Sequence, residues 1–127
     1  MHVMITEALF GDAREVTDLL RTAGCQVMRC HDRMGICCAL APGRQCPLDE
    51  GNPVSLVVDV RAPLPELTVR EYGAVCAVRA RIPLAVVSTG EDAPIVPAGL
   101  ARWAAAVTRA ELLDFCRTAM RHEVGVR

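Results

Sequence analysis

The sequence predicts an α/β fold: one sheet of five short strands with helices on both faces. Three observations predict it. Short apolar runs alternate with amphipathic stretches along the chain. The most apolar run, Val54-Ser55-Leu56-Val57-Val58-Asp59-Val60, barely alternates, as a central parallel strand covered on both faces requires. The core must be aliphatic, because 52% of residues are hydrophobic but only 3% are aromatic. At 127 residues the chain fits a single domain, residues 1–127, without internal repeat or linker and with a Cys-rich insertion at about residues 30–50.

The elements follow in order. His2 to Thr6 reads as a buried strand. Ala13 to Ala23 reads as a helix, with Val16, Leu19, Leu20 and Ala23 at helical spacing, Asp12 as its cap and Gly24 as its C-terminal glycine. Cys25 to Cys30 is a second strand. The Cys-rich segment follows, broken by Pro42-Gly43 and Cys46-Pro47. After the central strand, Pro63 and Pro65 disfavour helix until Thr68. There Thr68-x-x-Glu71 forms a capping box that opens a helix to about Arg81. Leu84 to Ser88 is the fourth strand. Thr89 to Gly99, with Pro94 and Pro97, reads as a loop. Trp103 to Val107 is a short fifth strand. A second box, Thr108-x-x-Glu111, opens the last helix, with Leu112, Leu113, Cys116, Ala119 and Met120 on its apolar side.

Composition excludes several classes. The net charge is −1, so no bulk field draws the chain to nucleic acid or an anionic membrane. All 14 Lys+Arg residues are arginine, so chemistry that needs a side-chain amine is closed to it. No run approaches a membrane span. The opening MHVMITEALFGD has neither a basic nor a long apolar region of a signal peptide. A cytoplasmic protein is expected. There, seven cysteines point to metal, redox chemistry or burial rather than to a disulfide framework. There is no G-x-S-x-G, P-loop or G-x-G-x-x-G motif, so an enzyme is not expected. The acidic tip Gly90-Glu91-Asp92 would repel phosphate.

The order of residues resembles the receiver domain of bacterial response regulators. "VMITEALFGDAREVTDLLRTAGCQV" is similar to a receiver's first strand, helix and second strand. "VSLVVDVRAPLP" is similar to the third strand and its loop, and "IPLAVVSTG" to the fourth strand. The resemblance implies a flavodoxin-like sandwich with strand order 2-1-3-4-5. It places Asp59 at the phospho-acceptor position, Glu7 and Ser88 in the receiver-like pocket, and Trp103 near the aromatic switch position. The departures imply a degenerate, or pseudo-, receiver. Only Glu7, between Thr6 and Ala8, matches the acidic residues that hold Mg²⁺. Where the family carries a lysine, the sequence reads Ala104-Ala105-Ala106-Val107-Thr108. Phosphoryl transfer depends on positive charge at the transferring group. The second and fourth helices are replaced by irregular sequence.

The Cys-rich segment has the spacing C-H-x5-C-C-x7-C, formed by Cys30, His31, Cys37, Cys38 and Cys46. No C-x2-C pair occurs, so it is no standard zinc ribbon or ferredoxin signature. Zinc held by Cys30, His31, one of Cys37 and Cys38, and Cys46 would pin the loop. Adjacent Cys37 and Cys38 would point apart in an extended chain and not share an ion. An iron–sulfur cluster is an alternative. So is haem, because Cys46-Pro47 resembles the Cys-Pro motif of haem-responsive proteins. Thiols that are simply buried, or that form a redox-active disulfide, complete the set. Cys25, Cys76 and Cys116 are expected in the core. The function expected is a non-catalytic regulatory or interaction module that binds another protein through a metal-binding or redox-responsive loop. The alternatives are a single-domain receiver phosphorylated on Asp59, and a haem or iron–sulfur sensor. Homodimerisation is compatible with each.

Overall fold

The most apolar run of the sequence forms the middle of the sheet. Its strand, β3 (Leu56–Arg61), is buried at all six positions. It lies between β1 (His2–Glu7) and β4 (Leu84–Ser88), while β2 (Gln26–Arg29) and β5 (Ala104–Val107) form the edges. Every pairing is parallel and the order is β2-β1-β3-β4-β5, so the flavodoxin-like arrangement is present. The structure is a computed structural model that describes residues 1–31, 34–40, 43, 45–49 and 53–125, with residues 120–125 described by backbone alone.

Strand alternation divides the core in two. Val3, Ile5, Val58, Val60 and Val87 point to the face covered by α1 (Arg14–Thr22) and α3 (Leu112–Gly125), which contribute Val16, Leu20, Leu112 and Cys116. Met4, Val57 and Leu84 point to the other face, covered by α2 (Tyr72–Arg79) through Ala74 and Ala77. On that second face the described residues form only short 3-10 turns between β2 and β3, at Cys38–Leu40 and Pro47–Asp49. The 89–103 stretch between β4 and β5 likewise has no helix, and Leu100 fills the second core from it. The 89–103 stretch and the described residues of the Cys-rich segment match the sequence expectation, while residues 32–33, 41–42, 44 and 50–52 of that segment lie outside the described residues. Among the described residues, no helix is long and apolar enough to cross a membrane.

The termini of the elements follow from local chemistry. Both capping boxes form. The Thr68 amide donates to Glu71 Oε1 at 2.8 Å, and the Thr108 amide donates to Glu111 Oε1 at 3.1 Å. Asp12 does not cap α1, which starts one residue later than the cap would need. Its Oδ2 instead accepts from the Leu9 and Ala62 amides, tying the loop after β1 to the end of β3. The sheet supplies the missing acceptor: the Ala13 amide donates to Glu7 Oε1 at 3.1 Å. Helix α1 ends in a Schellman turn, where Cys25 N–H donates to Leu20 C=O around Gly24 at φ +93°. Helix α2 ends the same way, with Ile82 N–H donating to Ala77 C=O, but around Arg81 at φ +59°.

One position fixes how close α2 comes to the sheet. A Cβ on Gly73 would lie 2.4 Å from Thr6 Cγ2 and 2.6 Å from Cys30 Sγ. Only glycine lets the helix seat there. Gly73→Ala is therefore expected to destabilise the fold by about 1–3 kcal/mol despite better helix propensity. Gly99→Ala, whose Cβ meets nothing within 4 Å, serves as the control in urea denaturation. In the same assay Arg81→Gly should stabilise by about 1 kcal/mol, because it relieves a left-handed residue that carries a Cβ.

Candidate functional site

The second face carries two adjoining features, a sealed polar cluster and a cysteine-lined cavity. The cluster is built from sheet positions that point toward α2. Thr6 pairs with Asp59, and Arg61 with Ser88, in the strand register. The Thr6 hydroxyl donates to Asp59 Oδ1 at 2.6 Å. Glu71, at the amino end of α2, comes down on the cluster and is fully buried, as are Asp59 and Arg61. Arg61 Nε lies 3.4 Å from Glu71 Oε2, and its Nη2 donates to the Glu66 carbonyl at 2.8 Å. The carboxyls of Asp59 and Glu71 are within hydrogen-bonding reach of one another. As two bare carboxylates they would leave Asp59 Oδ2 and Glu71 Oε2 without donors. A proton on Asp59 relieves the repulsion between the two carboxyls. It also leaves one positive and one negative charge in the buried group, Arg61 and Glu71, which is the neutral balance burial demands. Burial first, then the Glu71 carboxylate, push the Asp59 carboxyl up to about 9, against the smaller opposing pull of Thr6 and Arg61.

The positions singled out by the receiver resemblance fall as follows. Asp59 is the fourth of six residues in β3, inside the sheet rather than at its exposed edge, and its exposure is 0%. Ser88 ends β4 and its Oγ accepts from the Gly90 amide at 3.1 Å. Glu7 ends β1 but points to the α1 amide and to β2, with Arg29 Nη1 at 3.5 Å and His31 Nε2 at 3.6 Å from its Oε2. Burial raises the Glu7 carboxyl, but the Ala13 and Gly11 amides, Arg29 and His31 outweigh it and hold the group below its ordinary value. Trp103 stands exposed just before β5, under the Arg102 guanidinium at 5.5 Å.

The second feature is a cavity of about 330 Å³ between the end of β2, the Cys-rich segment and α2. Cys30, His31, Cys37 and Cys46 all line it, so four of the five predicted ligands meet in one place. The fifth does not. Cys38 is buried with its thiol donating to the Arg29 carbonyl at 3.6 Å, turned from its neighbour Cys37 as adjacent side chains are. Cys76, expected in the core, is exposed and lines the cavity instead. The apolar stripe of α2 is made by Ala74 and Ala77, and Cys76 falls beside it, over the cavity. Cys116 is buried as expected, and Cys25 is half-buried against the same core cluster.

A short chain of contacts runs through the cavity wall. Cys30 Sγ lies 3.7 Å from His31 Nδ1, and His31 Nε2 faces Glu7. Burial first, then the neighbouring thiols, push the Cys30 thiol up to about 12. Burial also lowers His31 below its usual value, against the pull of Glu7. Among the described residues, no three His, Cys, Asp or Glu side chains converge closely enough to hold a metal ion as they stand.

The Asp59 proton gives a pH signature. The folded carboxyl titrates above its unfolded value of 3.8. The folded state therefore keeps a proton that the unfolded chain releases, and this contribution to stability, complete below about pH 4, is lost as pH rises toward 9. Unfolding free energy should fall between about pH 5 and about pH 8. Asp59→Asn should flatten that slope, and be the more stable protein at about pH 8 by roughly 1–3 kcal/mol. Urea denaturation at the two pH values measures both. No protein-family model, curated protein or solved structure matches the chain.

Proposed function

We propose that the chain is a receiver-like regulatory module that does not accept phosphate. It takes a metal or redox signal at the cysteine-lined cavity and presents it to a protein partner through the apolar surface around that cavity. The observation that carries this reading is the burial of Asp59. Its exposure is 0%, one oxygen accepts from Thr6, and the Glu71 carboxyl lies beside it. In-line phosphoryl transfer needs an ionised, reachable carboxylate and concentrated positive charge. Here the carboxyl is covered, and burial and Glu71 push it up to about 9. Arg61, a buried guanidinium beside it, is engaged by Glu71 and the Glu66 carbonyl, and the sequence contains no lysine.

The rim of the cavity supports the other half of the reading. Met34 and Leu40 are each 79% exposed, and Ile36, Val69 and Tyr72 are exposed as well. Ile36, Leu40, Val69 and Tyr72 also line the cavity, so apolar surface and thiols share one wall. Contiguous exposed apolar surface of this kind marks interaction sites. Ligation or oxidation of the thiols would reshape it directly, a local chemical event with a surface readout.

The competing reading, a phosphorylated receiver, is separated from this one by intact-mass measurement after incubation with acetyl phosphate and Mg²⁺. No mass increase is expected. A phosphate adduct that disappears in Asp59→Asn would overturn the proposal.

A further inference from the structure

We infer that the cavity is a zinc site with one imidazole and three thiolates, its ligands being Cys30, His31, Cys37 and Cys76. The inference rests on the reading of this cavity as the signal-receiving site, and it names the ligand.

Cys30 and His31 already stand as two ligands of one ion would. Their Sγ to Nδ1 separation is 3.7 Å. Zinc–sulfur and zinc–nitrogen bonds at tetrahedral angles set that edge at about 3.5–3.6 Å. The imidazole is held the way zinc-bound histidines are held. Nε2 faces the Glu7 carboxylate at 3.6 Å and Nδ1 faces the Cys30 sulfur, so a ring proton on Nε2 would leave the Nδ1 lone pair for the metal. The His31 side chain is 3% exposed, so the ring is fixed by packing. Neighbours in a strand point to opposite faces, but the chain bends at Cys30 where β2 ends, and both side chains reach the same cavity.

The other two ligands follow from backbone placement. Cys37 pairs with His31 in an antiparallel bridge, which puts the two side chains on one side of the hairpin. Cys76 lies three residues beyond Gly73 on α2, on the same helix face. Gly73 is the position whose absent Cβ would strike Cys30 Sγ. Cys38 is committed to the Arg29 carbonyl. Loading starts on the Cys30–His31 pair and draws Cys37 and Cys76 inward, closing the hairpin onto α2. Each of the three thiols releases its proton to solvent, and three thiolates with Zn²⁺ leave a site of charge −1.

The test uses the full chain, reduced and stripped with chelator. It is titrated with Co²⁺ as a spectroscopic probe, then with Zn²⁺ against a chromophoric chelator. One ion per chain is expected, with the intense d–d bands of tetrahedral cobalt and thiolate charge transfer matching three sulfurs. Cys76→Ser and His31→Ala should each weaken Zn²⁺ binding roughly a hundredfold or more. Glu7→Gln should weaken it about tenfold by loosening the ring behind the metal. Cys38→Ser and Cys46→Ser should bind as the parent does. Cys76 is exposed, so its serine variant keeps the fold, which circular dichroism checks. Unchanged binding in Cys76→Ser, or lost binding in Cys46→Ser, overturns the ligand set. Octahedral cobalt or no binding overturns the site, and an iron–sulfur or haem chromophore in protein purified without oxygen overturns zinc. The broader reading fails separately. A chain that takes no zinc but also refuses phosphate loses only the metal, whereas one that takes phosphate on Asp59 loses the regulatory reading whatever it binds.

Discussion

The second face of the molecule is organised by the seating of helix α2 on the sheet. Gly73 allows the helix to come within contact of Thr6 and Cys30, and any side chain there would hold it off. Two consequences follow from that one distance. The amino end of α2 brings Glu71 down onto Asp59 and Arg61, and seals them from water. The next turn carries Cys76 over the cavity that Cys30 and His31 line. The sealed cluster and the open cavity are therefore two ends of a single packing event. A helix held a carbon's width further out would leave the carboxyl pair hydrated and Cys76 away from the cavity.

The sealed cluster is tolerable only because its charges cancel. Burying a lone ion costs several kcal/mol, and breaking a buried pair costs about as much. Arg61 and Glu71 cancel each other, and the proton on Asp59 removes the third charge. Arginine suits this role better than lysine, because its fork meets Glu71 and the Glu66 carbonyl together. The same arrangement removes what phosphoryl transfer would use. On the proposed reading the consequence is an acceptor position that is covered, with its carboxyl pushed up to about 9, beside a cation already paired with Glu71.

The sheet was largely legible in the sequence, because its signals are local. The unbroken apolar run around Val57 and Val58 could only be a central strand, and the boxes Thr68-x-x-Glu71 and Thr108-x-x-Glu111 set two helix starts. The site was legible in part. Spacing gathered Cys30, His31, Cys37 and Cys46, but it could not exclude Cys38 or recruit Cys76. Those assignments depend on which way a hairpin turns and which loop packs beside α2, and both are long-range facts. Cys76 is also of a residue type that fits a core as well as a cavity wall. Glu71 was legible as a capping residue, and it is one. Its second oxygen works on Arg61, and no local pattern announces a pair ten residues apart across a proline-rich loop. Asp12 misled for the opposite reason. Its position beside the helix start suits a cap, but Glu7 from the sheet takes the amide first.

The two ends of α2 are fastened by different chemistry, and this gives the helix its place in a regulatory reading. The Glu71 end is fastened by a proton and an ion pair that are fully buried, so it responds to global stability rather than to solutes. The Cys76 end is open to solvent and fastened, on the proposed ligand set, only when a metal joins it to the hairpin. Loss of the metal would free the second end while leaving the first intact. The exposed residues Val69 and Tyr72 at the start of α2, and Ile36 and Leu40 on the hairpin side, would then lose their fixed spacing. A partner that needs both halves of that apolar wall reads the metal through their separation. Two discrete arrangements of one packed element, biased by one ligand, is the physical requirement for such coupling, and it calls for no movement of the sheet.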